Sequence, residues 1–266
     1  DGAFPANLAV AREVIKEALG KGSDFLALPE TFLSGYDSRE NMEKGARGMG
    51  DPDVQAFIAE SAAHGMVVLA GLARRTPEGI YNSVLVIHRG KLLGIYDKVL
   101  LTGGDRDNLK FLPGRDVPVF EANGARFAVV ICHDSSFPTP ALLAKLRGAE
   151  ILFTPHYNAI DAQRVDAHRH WVRNCHVGLA CQMKMIVARA NVVVTDSPGK
   201  PGYGDSFILS PMGEPLAQAG LFRTGLITAT AGPEMFKIPY VWSDLSEVPA
   251  WMNRATAEAL IQAGGK

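Results

Sequence analysis

Four side chains with catalytic chemistry each follow a short apolar stretch of the chain. They are Glu30, Lys98, Cys132 and His156. Open sheets place their binding crevices at the carboxyl ends of strands, so a site is expected at such positions. A thiol serves as a nucleophile, a carboxylate as a general base, and an ammonium group as a stabiliser of a developing oxyanion. Together these groups would support acyl transfer without a metal, although each alone has an ordinary structural explanation.

The spacing of apolar residues predicts a single α/β domain that positions these side chains. Helical spacing predicts helices at residues 7–19, 54–64, 140–147 and 161–183, and a partly helical tail at 242–263. Short apolar runs predict strands at residues 25–28, 66–71, 126–131, 151–154, 186–195 and 226–231. Hairpins are predicted to join residues 83–87 to 92–96, and 205–210 to the segment from 215 onward. Residues 102–118 are predicted to form a long polar loop.

Composition excludes several classes of partner. The 266 residues include 27 basic and 28 acidic side chains, so the near-zero net charge favours neither a nucleic acid nor an anionic membrane surface. No apolar run approaches the roughly 18 to 20 residues that span a bilayer. The odd count of three widely spaced cysteines argues against a disulfide framework and favours a reducing, cytoplasmic compartment. We expect one domain over residues 1–266 that acts on a small molecule.

Three ordered segments carry a resemblance to a known family. They are Leu28-Pro29-Glu30 with Gly35-Tyr36, Tyr96-Asp97-Lys98, and Ile131-Cys132-His133-Asp134 with Phe137-Pro138. The secondary landmarks are Tyr81-Asn82-Ser83, Phe111-Leu112-Pro113-Gly114, Ala190-Asn191, Gly204-Asp205-Ser206 and Pro211-Met212-Gly213. Over about residues 7–232, the chain resembles the nitrilase superfamily of carbon–nitrogen hydrolases.

This resemblance implies a role for each matching residue. Glu30 would be the general base and acid, Lys98 the stabiliser of the oxyanion, and Cys132 the nucleophile, with the backbone N–H of His133 as a second oxyanion donor. The resemblance also implies an α-β-β-α sandwich, no cofactor, and a homodimer or higher homo-oligomer, with residues 240–266 at the interface. Family members usually begin with a strand before the first helix, so we expect the first strand to be missing from this sequence.

Departures from the family pattern concern the second acid and the choice of substrate. Many members carry a further glutamate in the loop before Pro-Gly; here Asp107 falls at that place as a possible second acid, and Asp105 competes with it. True nitrilases usually read Cys-Trp-Glu after the nucleophilic strand, whereas this chain reads Cys-His-Asp from Cys132. Hydrolysis of an amide or N-carbamoyl group is therefore favoured over hydrolysis of a nitrile.

Loops at the predicted strand ends supply the candidates for substrate binding. They are Tyr36, Phe137, His156, Tyr157 and Asn158, together with the loop at residues 102–112. His156 could donate to a substrate carboxylate or only cap its own loop, and both interpretations stand. Arg106 and Arg164 are further candidates for contact with a substrate.

Two functions from other classes compete with the hydrolase. His168, His170, Cys175 and His176 could suggest a metal site, but on a helix His170 lies off the face shared by residues 168 and 175, and no recognised zinc spacing is present. A non-catalytic binding protein on the same fold is the second alternative. The intact Glu30, Lys98 and Cys132 set argues against it. Cys175 and Cys181 are assigned to packing.

Overall fold

The computed structural model describes residues 3–36, 38–194, 199–237 and 245–264. The helices in these ranges are α1 (Phe4–Gly20), α2 (Arg39–Gly45), α3 (Pro52–Glu60), α4 (Pro138–Leu146), α5 (Val165–Met183) and α6 (Ala250–Gly264). The strands are β1 (Phe25–Ala27), β2 (Val67–Thr76), β3 (Gly79–His88), β4 (Lys91–Asp97), β5 (Phe111–Leu112), β6 (Val119–Ala122), β7 (Ala125–Val129), β8 (Ile151–His156), β9 (Ile186–Asn191), β10 (Val193–Val194), β11 (Gly202–Tyr203), β12 (Phe207–Leu209) and β13 (Pro215–Gln218).

Two mixed sheets contain most of the strands. The first sheet has the order β1-β2-β3-β4, with β1 parallel to β2 and the short strand β5 parallel to β3. The second sheet has the order β13-β12-β9-β8-β7-β6, and its three central strands run parallel. Parallel neighbours end at the same edge of a sheet, so the residues after β7 and β8 are brought together.

The two sheets pack face to face, with helices on both outer faces. Strand β2 shows why: Val67 and Leu69 pack in the core shared with the second sheet, whereas Val68 and Ala70 pack beneath α1 and α3. This alternation is the period of two expected of a strand buried on both faces. Helices α4 and α5 cover the second sheet through Ala141, Ala144, Leu179, Ala180 and Met183. The predicted α-β-β-α sandwich is therefore confirmed.

Aromatic side chains join the two sheets at the centre of the molecule. Phe127 of β7 is fully buried, and its ring contacts that of Phe25 from β1 edge to face, with centroids 5.2 Å apart. Phe120 and Phe153 complete the cluster at centroid distances of 5.7 and 5.9 Å from Phe127. Such rings bury large apolar areas, so this contact helps to fix the first sheet against the second.

The observed elements differ from the predicted ones in several places, and α2, β6 and β11 have no predicted counterpart. The segment at residues 226–231 was predicted as a strand but has no regular structure, because it pairs with no strand among the described residues. The loop at residues 102–118 contains a π-helical turn, Gly104–Leu109, followed by β5. Residues 242–244 of the predicted tail lie outside the described ranges, and its helix begins at Ala250.

None of the helices in the described ranges combines the length and the apolar character needed to cross a membrane.

Candidate active site

Glu30 is held in a buried turn that follows β1. Its carboxylate accepts hydrogen bonds at Oε1 from Asn82 Nδ2 (2.7 Å) and Lys98 Nζ (2.8 Å), and at Oε2 from the Tyr157 backbone N–H (2.7 Å). The turn lies directly on β2 at Gly71, where a Cβ would overlap the carbonyl oxygen of Pro29. Burial raises the pKa of Glu30, and the Lys98 ammonium opposes that rise. The carboxyl group is thus fixed in place as a stronger base than an exposed glutamate.

Lys98 lies at the end of β4 and is completely buried. Its Nζ is 2.8 Å from Glu30 Oε1 and 2.9 Å from Asp105 Oδ2, so one ammonium group joins two carboxylates. Burial alone would lower the pKa of Lys98, but the negative charges around it, Glu30 first, hold that pKa well above its usual range. Lys98 is therefore a permanent positive charge at the centre of the site.

The second acid beside Lys98 is Asp105 and not Asp107. Asp105 is fully buried, and its Oδ2 accepts hydrogen bonds from the backbone N–H and the hydroxyl of Thr102 at 2.8 and 2.9 Å. The Tyr36 hydroxyl donates to its other oxygen. Burial raises the pKa of Asp105, but the Lys98 charge and these hydrogen bonds outweigh burial and leave the pKa below its usual value. Asp107, the residue predicted from its place in the loop, is 61% exposed and pairs with Arg106.

Cys132 begins a short 3₁₀ turn, Cys132–Ser136, three residues beyond the end of β7 at Val129. Its φ of 47° lies in the left-handed region, which is uncommon for a residue with a side chain and is typical of functional sites. The Asn158 amide nitrogen lies 3.5 Å from its Sγ. Desolvation, and then the negative charge of Glu30, raise the pKa of Cys132 to about 12. The resting sulfur is therefore a thiol and not a thiolate at neutral pH.

Tyr157 and Asn158 connect the base to the thiol. The Tyr157 N–H contacts Glu30, and the side chain of the next residue, Asn158, contacts Cys132. Both residues follow β8, which lies beside β7 in the second sheet. Glu30 and Lys98 come from the first sheet, so the site lies where strand ends of the two sheets meet.

Asp134 ties the cysteine turn to the lysine strand. Its Oδ2 accepts hydrogen bonds from the Ile131 backbone N–H (2.9 Å) and the Tyr96 hydroxyl (2.6 Å), and its Oδ1 accepts one from the Leu100 backbone N–H (2.7 Å). Ile131 precedes the thiol, and Leu100 lies two residues beyond Lys98. One fully buried carboxylate thereby couples the backbones of both segments.

The other predicted binding residues divide into two groups. Tyr36 and Tyr157 pack against each other with ring centroids 4.8 Å apart, close to Asp105 and Glu30 respectively. His156 is instead 2% exposed, and its ring nitrogens lie 2.7 Å from the Thr154 carbonyl oxygen and 3.3 Å from the Ser135 hydroxyl. Of the two interpretations of His156, the structure therefore favours the internal one.

Phe137 and His133 lie at the outer end of the cysteine turn. Phe137 is 43% exposed, and its ring meets that of His133 edge to face at 5.2 Å. The two arginines that were candidates for substrate contact, Arg106 and Arg164, are both exposed. The role predicted for His133, donation to an oxyanion, concerns its backbone N–H and does not depend on where its ring lies.

The histidines of α5 do not converge. His176 is buried with its ring nitrogens beside Thr154 and the Val172 carbonyl, His168 contacts the Tyr203 hydroxyl, and His170 is exposed. In the part of the chain that the structure describes, no three histidine, cysteine or acidic side chains are grouped so as to hold a metal ion.

Arg189 is a residue of the site environment that the sequence motifs did not reveal. This arginine lies in β9 and is 3% exposed, and its Nη2 donates to Asn158 Oδ1 at 2.7 Å. The signal was present, because Arg189 interrupts the apolar run at residues 186–190 of a predicted strand. Charged side chains are almost never fully buried without a partner, so such an arginine marks a polar contact inside the fold.

Comparison with known proteins agrees with the sequence motifs and the fold. The model of the carbon–nitrogen hydrolase family matches residues 2–237. An N-carbamoylputrescine amidase from Arabidopsis thaliana is 30% identical in an alignment of 249 residues that covers 87% of this chain and 83% of that protein. An omega-amidase from Escherichia coli is 27% identical and covers 93% of each chain. A Saccharomyces cerevisiae protein of branch 10 of the nitrilase superfamily shares the fold with a TM-score of 0.78 at 21% identity, over 93% of this chain and 92% of that one. The chain therefore belongs to the carbon–nitrogen hydrolase family.

Proposed function

We propose that this protein hydrolyses a non-peptide C–N bond in a small amide or N-carbamoyl compound through an acyl-cysteine intermediate. The observation that carries the proposal is the buried Lys98, which pairs with both Glu30 and Asp105. Cys132 lies close to these groups, because Tyr157 contacts Glu30 and the next residue, Asn158, contacts the Cys132 sulfur. A base, a fixed cation and a thiol in one desolvated site are the groups that acyl transfer requires.

In the acylation half, Glu30 takes the thiol proton as the sulfur attacks the substrate carbonyl carbon. Proton transfer and attack are concerted, because the raised pKa of Cys132 disfavours a free thiolate. Lys98 and the backbone N–H of His133 stabilise the oxyanion of the tetrahedral intermediate. The protonated Glu30 then gives its proton to the leaving nitrogen, the C–N bond breaks, and ammonia or an amine departs. A thioester, or a thiocarbamate from an N-carbamoyl substrate, remains on Cys132.

In the deacylation half, water replaces the departed amine beside Glu30. Glu30 removes a proton from this water as its oxygen attacks the acyl carbon, and the oxyanion forms again beside Lys98. The C–S bond breaks, the sulfur recovers a proton from Glu30, and the acid product leaves. Glu30 thus alternates between base and acid, as its elevated pKa suits it to do.

Amide chemistry is preferred to nitrile chemistry for two reasons. The nucleophilic segment reads Cys132-His133-Asp134, whereas true nitrilases usually read Cys-Trp-Glu. In addition, the chain is similar to an N-carbamoylputrescine amidase and to an omega-amidase. Tyr36, Tyr157 and Asn158 are proposed to contact the substrate. Tyr157 contacts Glu30, Asn158 contacts Cys132, and Tyr36 contacts the Asp105 carboxylate that pairs with Lys98. Nitrile hydrolysis on the same residues and a purely binding function are the alternatives.

We further propose that the chain assembles as a homodimer or a larger homo-oligomer, with the C-terminal segment at the interface. Every residue of α6 is exposed, including the large apolar side chains of Trp251 (62%), Leu260 (52%) and Ile261 (75%). Several exposed apolar side chains on one element are typical of a surface that a partner covers.

The test of the proposed reaction is the loss of hydrolysis in Cys132→Ala. Wild-type protein is incubated with primary amides and N-carbamoyl amines, and ammonia release is measured alongside intact-protein mass spectrometry. We expect turnover to stop in Cys132→Ala and an acyl adduct to appear on Cys132 of the wild type. Cys181→Ala, which removes a partly exposed thiol from α5, is the matched control and should retain activity. Near-wild-type turnover by Cys132→Ala would exclude the mechanism.

A further inference from the structure

The guanidinium group of Arg189 is buried among neutral acceptors. Its Nη1 donates to the carbonyl oxygens of Gly204 (3.0 Å) and Asp205 (2.6 Å), and its Nη2 donates to Asn158 Oδ1. The Asp205 carboxylate pairs instead with Arg169 and Arg173. Arg189 Nε is buried and has no hydrogen-bond partner among the described residues. A buried charge placed in this way is costly, so its position calls for a functional explanation.

Arg189 helps to determine which way the Asn158 amide points, together with the Tyr203 hydroxyl, which donates to the same amide oxygen at the longer distance of 3.4 Å. A guanidinium can only donate hydrogen bonds, so the amide oxygen must face Arg189 and the NH₂ group must face the other way. The atom on that other side is Cys132 Sγ, 3.5 Å from the amide nitrogen. The backbone of Asn158 is fixed as well, because its N–H donates to Asn191 Oδ1 at 2.9 Å.

The surroundings of the sulfur explain why it needs such a donor. Desolvation is the main cost of a thiolate at Cys132, and the negative charges of Glu30 and Asp105 add to it while the Lys98 charge opposes it. Hydrogen-bond donors aimed at a charged group favour the charged form. In the described residues, the Asn158 amide is the side-chain donor in contact with Sγ.

We propose that Asn158 is a catalytic hydrogen-bond donor to the Cys132 sulfur and that Arg189 is the positioning residue that orients it. This inference rests on the proposed role of Cys132 as nucleophile. Partial negative charge develops on the sulfur twice in each turnover, as its proton leaves during attack and as the C–S bond breaks during deacylation. The same donor stabilises the sulfur at both moments, and no atom or proton is transferred to Asn158.

The test is the pH dependence of iodoacetamide alkylation at Cys132, followed by mass spectrometry of the Cys132 peptide. We expect Asn158→Ala and Arg189→Met each to slow alkylation by roughly 10-fold between about pH 7 and pH 10, as for a thiol pKa raised by one unit. The double variant should be no slower than either single variant, because the two residues act as one unit. In turnover assays the same variants should lower kcat more than KM.

Arg173→Met is the matched control, because it removes a positive charge from the same group of arginines without touching Asn158. Its Cys132 alkylation should match that of the wild type, and Arg189→Lys should recover part of the lost rate. Equal slowing by Arg173→Met, or an unchanged profile in Asn158→Ala, would overturn the proposal. If Arg189→Met does not fold, Asn158→Ala and Arg189→Lys decide the question.

The outcomes separate this inference from the proposed reaction. If the wild type forms an acyl adduct while Asn158→Ala alkylates normally, the nucleophile stands and the donor role fails. If Cys132→Ala keeps its turnover, the reaction mechanism fails whatever the alkylation profiles show.

Discussion

At the scale of single residues, the central feature of the site is the buried Lys98 ammonium, which pairs with two carboxylates at once. Lys98 neutralises part of the charge of Glu30 and Asp105, so a buried negative charge remains when both acids are ionised. Burial first, and then the negative charge of Asp105, keeps the pKa of Glu30 above its usual value. The base strength of Glu30 is therefore a property of the three residues together.

Replacing Asp105 by Asn tests this coupling. The change removes a negative neighbour of Glu30, so the pKa of Glu30 should fall. In the proposed mechanism activity falls on acidification as the Glu30 carboxylate takes up a proton, so the acid limb of kcat/KM should move to lower pH. The loosened Lys98 and Tyr36 should also lower kcat by roughly 10²-fold. The measurement is a pH profile of ammonia release.

Asp107→Asn provides the control for Asp105, because it makes the same chemical change two residues away on an exposed side chain. Its pH profile and kcat should match those of the wild type. A large loss in Asp107→Asn with little loss in Asp105→Asn would contradict the assignment of the second acid.

At the scale of elements, Asp134 joins two segments that come from different sheets. Its partners are the backbone N–H groups of Ile131 and Leu100 and the Tyr96 hydroxyl. A carboxylate can accept all three hydrogen bonds, whereas an amide has only one accepting atom. The aspartate is thus matched to its place between the β4 end and the β7 end.

We expect Asp134→Asn to lower the free energy of unfolding by about 1–3 kcal/mol, because an amide NH₂ would face a buried N–H donor. The measurement is urea unfolding at about pH 8, above the pKa of about 6 to which burial raises Asp134. Asp116→Asn is the control: it weakens an exposed pair with Arg147 and should change stability by less than about 0.5 kcal/mol. Equal stability of the two variants would contradict a bracing role for Asp134.

At the scale of the whole molecule, the buried interior of the sandwich contrasts with the exposed C-terminal helix α6, which is the proposed surface for assembly. The sandwich buries its aromatic cluster around Phe127, whereas α6 leaves all of its side chains exposed. Assembly would cover this helix without changing the interior of the subunit.

Replacing both Trp251 and Ile261 by Ser should shift the mass measured by light scattering toward that of one chain. The reason is that two of the most exposed large apolar side chains of α6 would be lost from the interface. Val10→Ser, which changes a 52% exposed side chain on α1, should leave the mass unchanged. An unaltered oligomer in the α6 double variant would show that the interface lies elsewhere.

The sequence by itself determined the α/β organisation, the family, and the candidates Glu30, Lys98 and Cys132. Each candidate follows an apolar run, and the direction of a chain through a sheet brings such positions to one edge. Tertiary structure alone decided between Asp105 and Asp107, since both lie in one polar loop and only the π-helical turn buries one of them. It also turned His156 inward and placed Arg189 behind Asn158. These outcomes depend on contacts between residues far apart in the chain, which local composition and spacing do not encode.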